Sequence, residues 1–190
     1  MIITPLDPPE IKLIVPKIFT DDRGIFVETY SLRNFADAGS KEIFVQDNHS
    51  VSRRKGTVRG LHFQTPPFAQ GKLIRVVRGA IFDVAVDIRR GSPTFGKHAS
   101  ARISAENWMQ IFIPPGFAHG LMTLEPDTEI LYKVSNFYSP DHEMGLLWND
   151  PALAIEWPLP QSEASLSPRD GAYGLLADLP SVFHYQSGAR

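Results

Sequence analysis

The sequence lacks cysteine altogether, although it contains 190 residues. This absence excludes disulfide bonds, thiolate catalysis and cysteine-ligated zinc, and it suits a chain that works in a reducing compartment. Apolar runs of about eighteen residues, the length that a membrane helix needs, are also missing, and no apolar leader follows Met1. The 19 basic and 21 acidic residues nearly cancel to a net charge of -2, so no basic field attracts nucleic acid or anionic lipid. We therefore expect a cytoplasmic protein without nucleic-acid or membrane partners.

The composition is that of an ordinary globular chain, with 43% hydrophobic, 11% aromatic and 21% charged residues. Disordered chains lack this apolar content, and a chain of this length can bury one core. We expect one domain over residues 1–190. Its last part, residues 158–190, is predicted to wrap around the rest, because Pro158 to Pro168 is rich in proline and serine.

Short segments rich in β-branched and aromatic residues, separated by glycine and proline, predict an all-β fold. The ten predicted strands are Leu13–Pro16, Gly24–Thr29, Ile43–Ser50, Thr57–Gln64, Lys72–Arg78, Ala80–Ile88, Ser100–Ile103, Trp108–Ile113, Gly120–Leu124 and Glu129–Asn136. So many short strands require a sheet that rolls up. Helix is predicted from Ser31 to Ala38, before Gly39, and as a turn near Gly171 to Leu179.

Two neighbouring strands dominate the middle of the chain. Lys72 to Arg78 and Ala80 to Ile88 are separated by little more than Gly79, which predicts a β-hairpin at the centre of the fold. The first strand carries apolar side chains on both faces, as is typical of a strand inside a sheet. We expect this pair to form the spine of the barrel.

The segment Pro114 to Gly120 has the form Pro-x-Gly-x-x-His, the second signature of cupin barrels, in which a turn directs a histidine into the barrel mouth. In metal-binding cupins the first signature supplies a His-x-His pair and a glutamate, because a divalent metal needs three or four such ligands. Here it reads His62-Phe63-Gln64, and glutamine replaces imidazole poorly. We therefore predict a cupin-type jelly-roll barrel with a few short peripheral helices and no metal, whose His62 is free to act as a base.

Strand periodicity predicts which of the polar side chains face a cavity. His62 and Gln64 share one strand face, while their neighbours pack on the other. Tyr132 should point into apolar surroundings, where a buried phenol needs a partner and can donate a proton. Asp83 and Asp87 form an acidic wall, on which Asp83 is placed to orient a neighbouring histidine.

Each of these features also has a simpler structural interpretation. His62 or His119 alone could be a hydrogen-bonded structural histidine, and Tyr132 a packing residue. The basic side chains between Lys72 and Arg78 would then be solvated, and the two aspartates would form a hydrated outer face.

Several motifs follow one another along the chain, namely Asp21–Glu28, Gln46–Ser50, Gly56–Gln64, Gln70–Leu73, Gly79–Asp87, Pro114–Gly120 and Gly145–Pro151. They resemble the dTDP-4-dehydrorhamnose 3,5-epimerase family, cupin-fold enzymes of dTDP-rhamnose biosynthesis. The resemblance runs from about Val15 to Asp170. So many motifs in one order exceed what chance agreement produces.

The resemblance implies an isomerase without a cofactor, which converts dTDP-4-keto-6-deoxyglucose to dTDP-4-keto-rhamnose by epimerisation at C3 and C5. It implies that His62 is the general base and is paired with Asp170, that Tyr132 donates the proton, and that Lys72 stabilises the enolate. The residues implied to hold the nucleotide and sugar or to border the site are Arg23, Glu28, Gln46, Asn48, Arg59, His119, Glu143 and Arg169. A homodimer with part of the site across its interface is implied as well.

The chemistry agrees with these residue types. A proton beside a ketone is acidic only because its loss gives an enolate, so the site needs a base and a cation or donor at the ketone oxygen. Inversion requires that the new proton arrive on the opposite face, from a second acid. A histidine, a lysine and a tyrosine fit these three tasks.

Some details depart from the family pattern. The loop around Arg53 to Lys55 is one residue longer than the family predicts. Arg169 stands where the family commonly has lysine, which preserves charge but not shape. Regular alternation would also place Arg59 and His62 on opposite faces unless Gly60 allows a bulge.

Other functions stay open at this point. The nearest is an epimerase that acts only at C3 or only at C5 of a related dTDP-4-keto-6-deoxyhexose. A second is a sugar-nucleotide-binding cupin without turnover, and a third is a metal-dependent cupin oxygenase. Exchange of the substrate protons and elemental analysis of the protein would separate them.

Overall fold

The structure, a computed structural model, describes residues 1–37 and 40–186. Its strands are β1 (Ile2–Pro5), β2 (Lys12–Val15), β3 (Ile18–Asp21), β4 (Gly24–Val27), β5 (Gln46–Ser52), β6 (Val58–Gln64), β7 (Lys72–Arg78), β8 (Ala80–Asp87), β9 (His98–Ser104), β10 (Gln110–Ile113), β11 (Phe117–Thr123), β12 (Thr128–Val134) and β13 (Glu143–Gly145). One α-helix, α1, spans Leu32–Asp37. Short 3-10 helices span Pro140–His142, Pro151–Leu153, Gln161–Glu163, Asp170–Ala172 and Leu176–Asp178.

All ten predicted strands are present, and their ends differ from the predicted ones by no more than three residues. The predicted helix is also present as α1, although Ala38 and Gly39, where we expected it to end, lie outside the described residues. The sequence analysis missed β1, β3 and β13. These strands have three or four residues each, too few for alternation to stand out.

Most strands form two antiparallel sheets. One has six strands in the order β1-β2-β10-β7-β12-β5, and the other has five in the order β13-β6-β11-β8-β9. Strands β3 and β4 form a separate hairpin. The main core lies between the two sheets, where Ile74 and Val76 of β7 pack with Ile81 and Ala85 of β8. This sandwich is the predicted all-β jelly roll of cupin type.

The predicted hairpin of β7 and β8 is wrong, because the two strands lie in different sheets. Strand β7 is hydrogen-bonded to β10 on one side and β12 on the other, so it has no free edge for β8. Gly79 takes the chain from one sheet to the other with a φ of 75°, where a Cβ atom would lie 2.5 Å from Thr128 Oγ1. The prediction that β7 lies inside a sheet is confirmed.

The chain after Pro158 runs along the outer face of the five-stranded sheet. Parallel bridges join Ser165 to Thr57 and His184 to Arg90, and the buried Leu176 packs in a second apolar cluster with Leu61 of β6. Among the described residues, no helix has the length and apolar character that crossing a bilayer demands. The segment thus places Asp170 beside His62 of β6.

Candidate active site

A cavity of about 320 Å³ opens between the two sheets, and both sheets and the C-terminal segment contribute to its walls. Its polar lining residues are Ser50, Arg59, His62, Lys72, His119, Tyr132, Ser167, Arg169 and Asp170. An adjoining cavity of about 270 Å³ shares His62, Lys72 and Tyr132 with the first. The four residues for which a catalytic role was predicted therefore meet at one place.

His62 is paired with Asp170, whose Oδ1 lies 2.5 Å from His62 Nε2. Burial alone would raise the pKa of the Asp170 carboxyl, but the hydrogen bond and charge of His62 reverse this and place the pKa below its usual value. The Asp170 carboxylate therefore stays ionised and holds the Nε2 proton. This leaves Nδ1 of His62 as the nitrogen with a free lone pair, as a general base requires.

A second histidine, His119, lies directly opposite His62 across the pairing of β6 and β11. Its Nε2 is 2.9 Å from Asp83 Oδ2, as predicted for Asp83. The hydrated outer face suggested for Asp83 and Asp87 is wrong, because both side chains are fully buried. Burial lowers the pKa of His119 in spite of the nearby Asp83 carboxylate, so its imidazole is neutral at neutral pH.

Lys72 supplies the cation of the pocket. Its Nζ donates to the backbone oxygen of His62 at 3.3 Å, so the suggestion that this part of the basic run is merely solvated is wrong. Burial lowers its pKa to about 8, against the attraction of Asp83 and Glu143. Most of the ammonium is therefore still protonated at neutral pH and can donate to an oxygen that gains negative charge.

Tyr132 lines both cavities from the six-stranded sheet, across from His62 in the five-stranded sheet. It packs against the main core with Ile130, as alternation predicted. Its hydroxyl, for which we expected a partner, makes no hydrogen bond within residues 1–37 and 40–186. Burial raises the pKa of the phenol, so the neutral form is favoured and carries a proton to donate.

Arg59 reaches the same cavity as His62 because β6 contains a bulge. Two residues of β6 lie opposite the single residue Gly120 of β11 at this point. Gly60 has a φ of 119°, and a Cβ atom there would lie 2.6 Å from the Gly120 Cα atom. The bulge returns the Arg59 side chain to the face of His62, where its Nε donates to Ser52 Oγ.

Glu143, which was expected to border the site, links two other parts of the pocket wall. Its Oε2 accepts a hydrogen bond from the Tyr138 hydroxyl at 2.6 Å and lies 2.7 Å from Arg169 Nη2. These two partners hold the Glu143 pKa below its usual value, although burial opposes them. The sequence analysis missed Tyr138 and also Ser167, whose hydroxyl accepts from the Asp170 backbone.

Gln46 and Asn48 line the adjoining cavity, and their binding role stays a prediction. Arg23 and Glu28 do not line either site cavity within one chain. Arg23 lies in the exposed hairpin of β3 and β4, where it pairs with Asp21, and Glu28 accepts from Asn34 instead. The binding roles of Arg23 and Glu28 stay predictions that require a second chain.

Gln64 is committed to the structure around the site. Its amide donates to the backbone oxygens of Phe68 and Phe137, and its oxygen accepts from the Ser139 backbone. Across the described ranges, no three His, Asp or Glu side chains are grouped as metal ligands would be. The metal-free expectation itself stays a prediction for the chelator experiment below.

Fold and pocket first define a class, a cupin-type jelly roll with a His–Asp pair, a lysine and a tyrosine around one cavity. The family model described as dTDP-4-dehydrorhamnose 3,5-epimerase matches residues 5–178. A dTDP-4-dehydrorhamnose 3,5-epimerase of Sinorhizobium fredii is 53% identical, over 93% of this chain and 90% of the relative. The chain belongs to the dTDP-4-dehydrorhamnose 3,5-epimerase family and is an isomerase.

Two solved structures bear on the reaction. The 3,5-epimerase of Legionella pneumophila in complex with dTDP-4-keto-L-rhamnose superposes with a TM-score of 0.93 at 43% identity, covering 97% of this chain and 98% of the other. A 3'-monoepimerase of Streptomyces bikiniensis in complex with dTDP-quinovose reaches 0.85 at 34% identity, covering 92% and 87%. The same fold therefore supports epimerisation with different regiochemistry.

Proposed function

We propose that this protein converts dTDP-4-keto-6-deoxyglucose to dTDP-4-keto-rhamnose by inverting C3 and C5 beside the C4 ketone. The observation that carries the proposal is the placement of His62 and Tyr132 on opposite walls of one cavity that also contains Lys72. Relatives at 53% and 43% identity bear the name of this activity. The catalytic and binding roles of the residues around the cavity are part of the proposal.

The proposed reaction begins when Nδ1 of His62 takes the proton from the carbon beside the ketone. The electrons of the broken C–H bond form the enolate, whose oxygen accepts a hydrogen bond from the Lys72 ammonium. Tyr132 then donates its proton to the opposite face of the carbon, which inverts it. Proton exchange with solvent restores neutral His62 and the Tyr132 phenol. Asp170 holds His62 in the correct tautomer throughout.

The remaining polar residues are proposed to bind the substrate. Arg59 and Arg169 offer planar guanidinium groups, which suit the diphosphate because they form charge-assisted and bidentate hydrogen bonds. His119 is proposed to donate to the sugar from the cavity wall. Gln46, Asn48 and Glu143 line or border the adjoining cavity, where they are proposed to hold the rest of the nucleotide sugar.

We further propose a homodimer in which Arg23 and Glu28 complete the site of the partner chain. The hairpin that carries Arg23 exposes large apolar side chains, with 70% of Phe26 and 48% of Phe19 accessible, and such a surface favours burial against another chain. Sedimentation should therefore give twice the chain mass. A monomer at assay concentration would contradict this part of the proposal.

Residues 1–190 are proposed to act as one epimerase domain, with residues 158–190 as its wrapping segment. This is supported by the packing of Leu176 on β6 and by the arrival of Asp170 in the pocket. The protein is proposed to work in the cytoplasm, for which its thiol-free sequence is suited. Cell fractionation would test the location.

The deciding experiment is NMR of dTDP-4-keto-6-deoxyglucose with the purified protein and a chelator in deuterated water. Exchange and inversion at both carbons are expected. Inversion at one carbon would instead identify a single-site epimerase, the alternative favoured by the structural similarity to the 3'-monoepimerase. Binding without exchange would identify a sugar-nucleotide-binding cupin, and loss of activity with chelator would overturn the metal-free mechanism.

A further inference from the structure

Tyr173 lies directly behind His62, on the side away from the substrate cavity. The two rings meet edge to face, with centroids 5.7 Å apart and an interplanar angle of 71°. Tyr173 lines neither of the two site cavities but faces a third one on the other side of β13. It therefore touches the proposed base without being placed to touch the substrate.

The backbone around Tyr173 leaves a space that fits its ring. Gly145 of β13 pairs directly with His62, and a Cβ atom at Gly145 would lie 2.5 Å from Tyr173 Cε2. Only a residue without a side chain allows the ring to lie against the strands at this point. A Cβ atom at Gly145 would also lie 2.7 Å from the Leu61 backbone oxygen, so a larger residue would displace Tyr173 or strand β6.

The segment that carries Tyr173 is held in place by hydrogen bonds of the residues that follow Tyr173. The Gly174 oxygen accepts from the Leu147 backbone at 2.8 Å, and the buried Asp150 carboxylate accepts from the Leu176 backbone at 2.7 Å. Tyr173 follows the same 3-10 helix that begins with Asp170. One short segment thus supplies both the carboxylate and the ring that contact His62.

We propose that Tyr173 is a positioning residue, whose ring fixes the His62 imidazole and keeps water from the rear of the His62–Asp170 pair. The hydroxyl is not required for this role, because the contact with His62 is made by the ring, while the buried hydroxyl lies beside Arg169. The role of the ring is to exclude water, which strengthens the attraction between the Asp170 carboxylate and an imidazolium at His62. The inference rests on the proposed function of His62 as the base.

The test compares Tyr173→Leu with Tyr173→Phe and with Tyr185→Leu, a matched control in the same segment that packs on Arg89 instead. Tyr173→Leu should lower kcat about tenfold, because a base displaced by a fraction of an ångström loses much of its rate, and should leave KM within about twofold. Tyr173→Phe should restore most of kcat. Equal damage by Phe and Leu, a change confined to KM, or an undiminished kcat in Tyr173→Leu would overturn the inference.

A second measurement does not depend on turnover. The Nε2 proton of His62, which Asp170 holds, is followed by NMR in the unliganded protein, with its signal assigned from His62→Gln. Tyr173→Leu should make this proton exchange faster with water, because water then reaches the rear of the His62–Asp170 pair, and Tyr173→Val should do the same if Tyr173→Leu does not fold. An unchanged exchange rate in the folded variant would overturn the inference, whereas an inactive wild-type protein would overturn only the proposed function.

Discussion

The pocket contains two His–Asp pairs that look alike in sequence but differ in their surroundings. His62 is 29% exposed, and its partner Asp170 comes from a separate segment near the end of the described chain. His119 is 11% exposed, and its partner Asp83 is fully buried within the neighbouring strand of the same sheet. His62 borders both cavities and Asp170 borders one, whereas in the second pair only His119 lines a cavity.

The two pairs are therefore suited to different tasks. The His62–Asp170 pair is suited to react, and the His119–Asp83 pair is suited to a structural role in the pocket wall. A base must reach its substrate and carry a positive charge briefly, which the partly exposed His62 can do beside an ionised Asp170. His119 is held neutral by burial, so it is better suited to donate or accept a hydrogen bond. Variants of the two pairs should therefore differ in whether they lose activity or stability.

Replacing His62 should abolish catalysis. His62→Ala is expected to lower the epimerisation rate at least about 10³-fold, because general-base catalysis contributes up to about 10⁴-fold. The measurement is deuterium exchange at C3 and C5, with dTDP binding as the control for an intact pocket. Exchange at the wild-type rate would remove His62 from the mechanism.

Replacing the carboxylate of Asp170 or of Asp83 by an amide should have different effects on kcat and on stability. Asp170→Asn should lower kcat about 10²-fold, since it no longer fixes the tautomer of the base. Asp83→Asn should lower kcat less than about tenfold but reduce the melting temperature by several degrees, because it perturbs a buried hydrogen-bonded pair. Steady-state kinetics and calorimetry of both variants measure these two effects. A larger loss of kcat in Asp83→Asn than in Asp170→Asn would mean that the roles of the two pairs are exchanged.

Lys72, the cation of the pocket, predicts a loss of activity at high pH. The Lys72 pKa of about 8 means that the ammonium loses its proton as the pH rises through that value, so kcat/KM should fall up to about tenfold per pH unit above it. Lys72→Arg, which stays charged, should be slower but lack this alkaline limb. A flat wild-type profile from pH 7 to pH 10 would contradict the assignment of Lys72 as the donor to the enolate.

The buried pair should affect stability in acid. Because burial lowers the pKa of folded His119 below its ordinary value of 6.5, the unfolded chain binds the extra proton first and stability falls as the pH drops below about 6.5. His119→Asn should therefore show a smaller loss of melting temperature between pH 7 and pH 5 than the wild type. An identical slope in both proteins would show that His119 does not contribute.

The same contrast explains what could be predicted from sequence. Asp83 was expected near a histidine because it alternates with apolar residues along one strand, and the paired strands β8 and β11 bring it to His119. Asp170 is 108 residues from His62, and its role came from resemblance to a family because no periodicity connects a loop residue to a distant strand.

Other features of the fold and site also depend on contacts that the local sequence does not reveal. The β7–β8 hairpin was wrong because a single glycine between two strands fits a tight turn and a crossing between sheets equally well, and only the partners of β7 decide. Alternation alone would place Arg59 on the face away from His62, and the bulge that brings it back was named only as a condition, because it depends on the close approach of Gly60 to Gly120. Tyr138 lies after β12 in an irregular segment, where sequence offers no pattern of faces.

The separation of His62 from Asp170 also has a consequence for how the protein is made. Asp170 is the 108th residue that the ribosome adds after His62, and by then the thirteen strands of the described residues have been synthesised. A nascent chain that stops short of Asp170 could assemble both sheets and still lack a paired base. Competence in proton transfer is therefore among the last properties the protein acquires during translation.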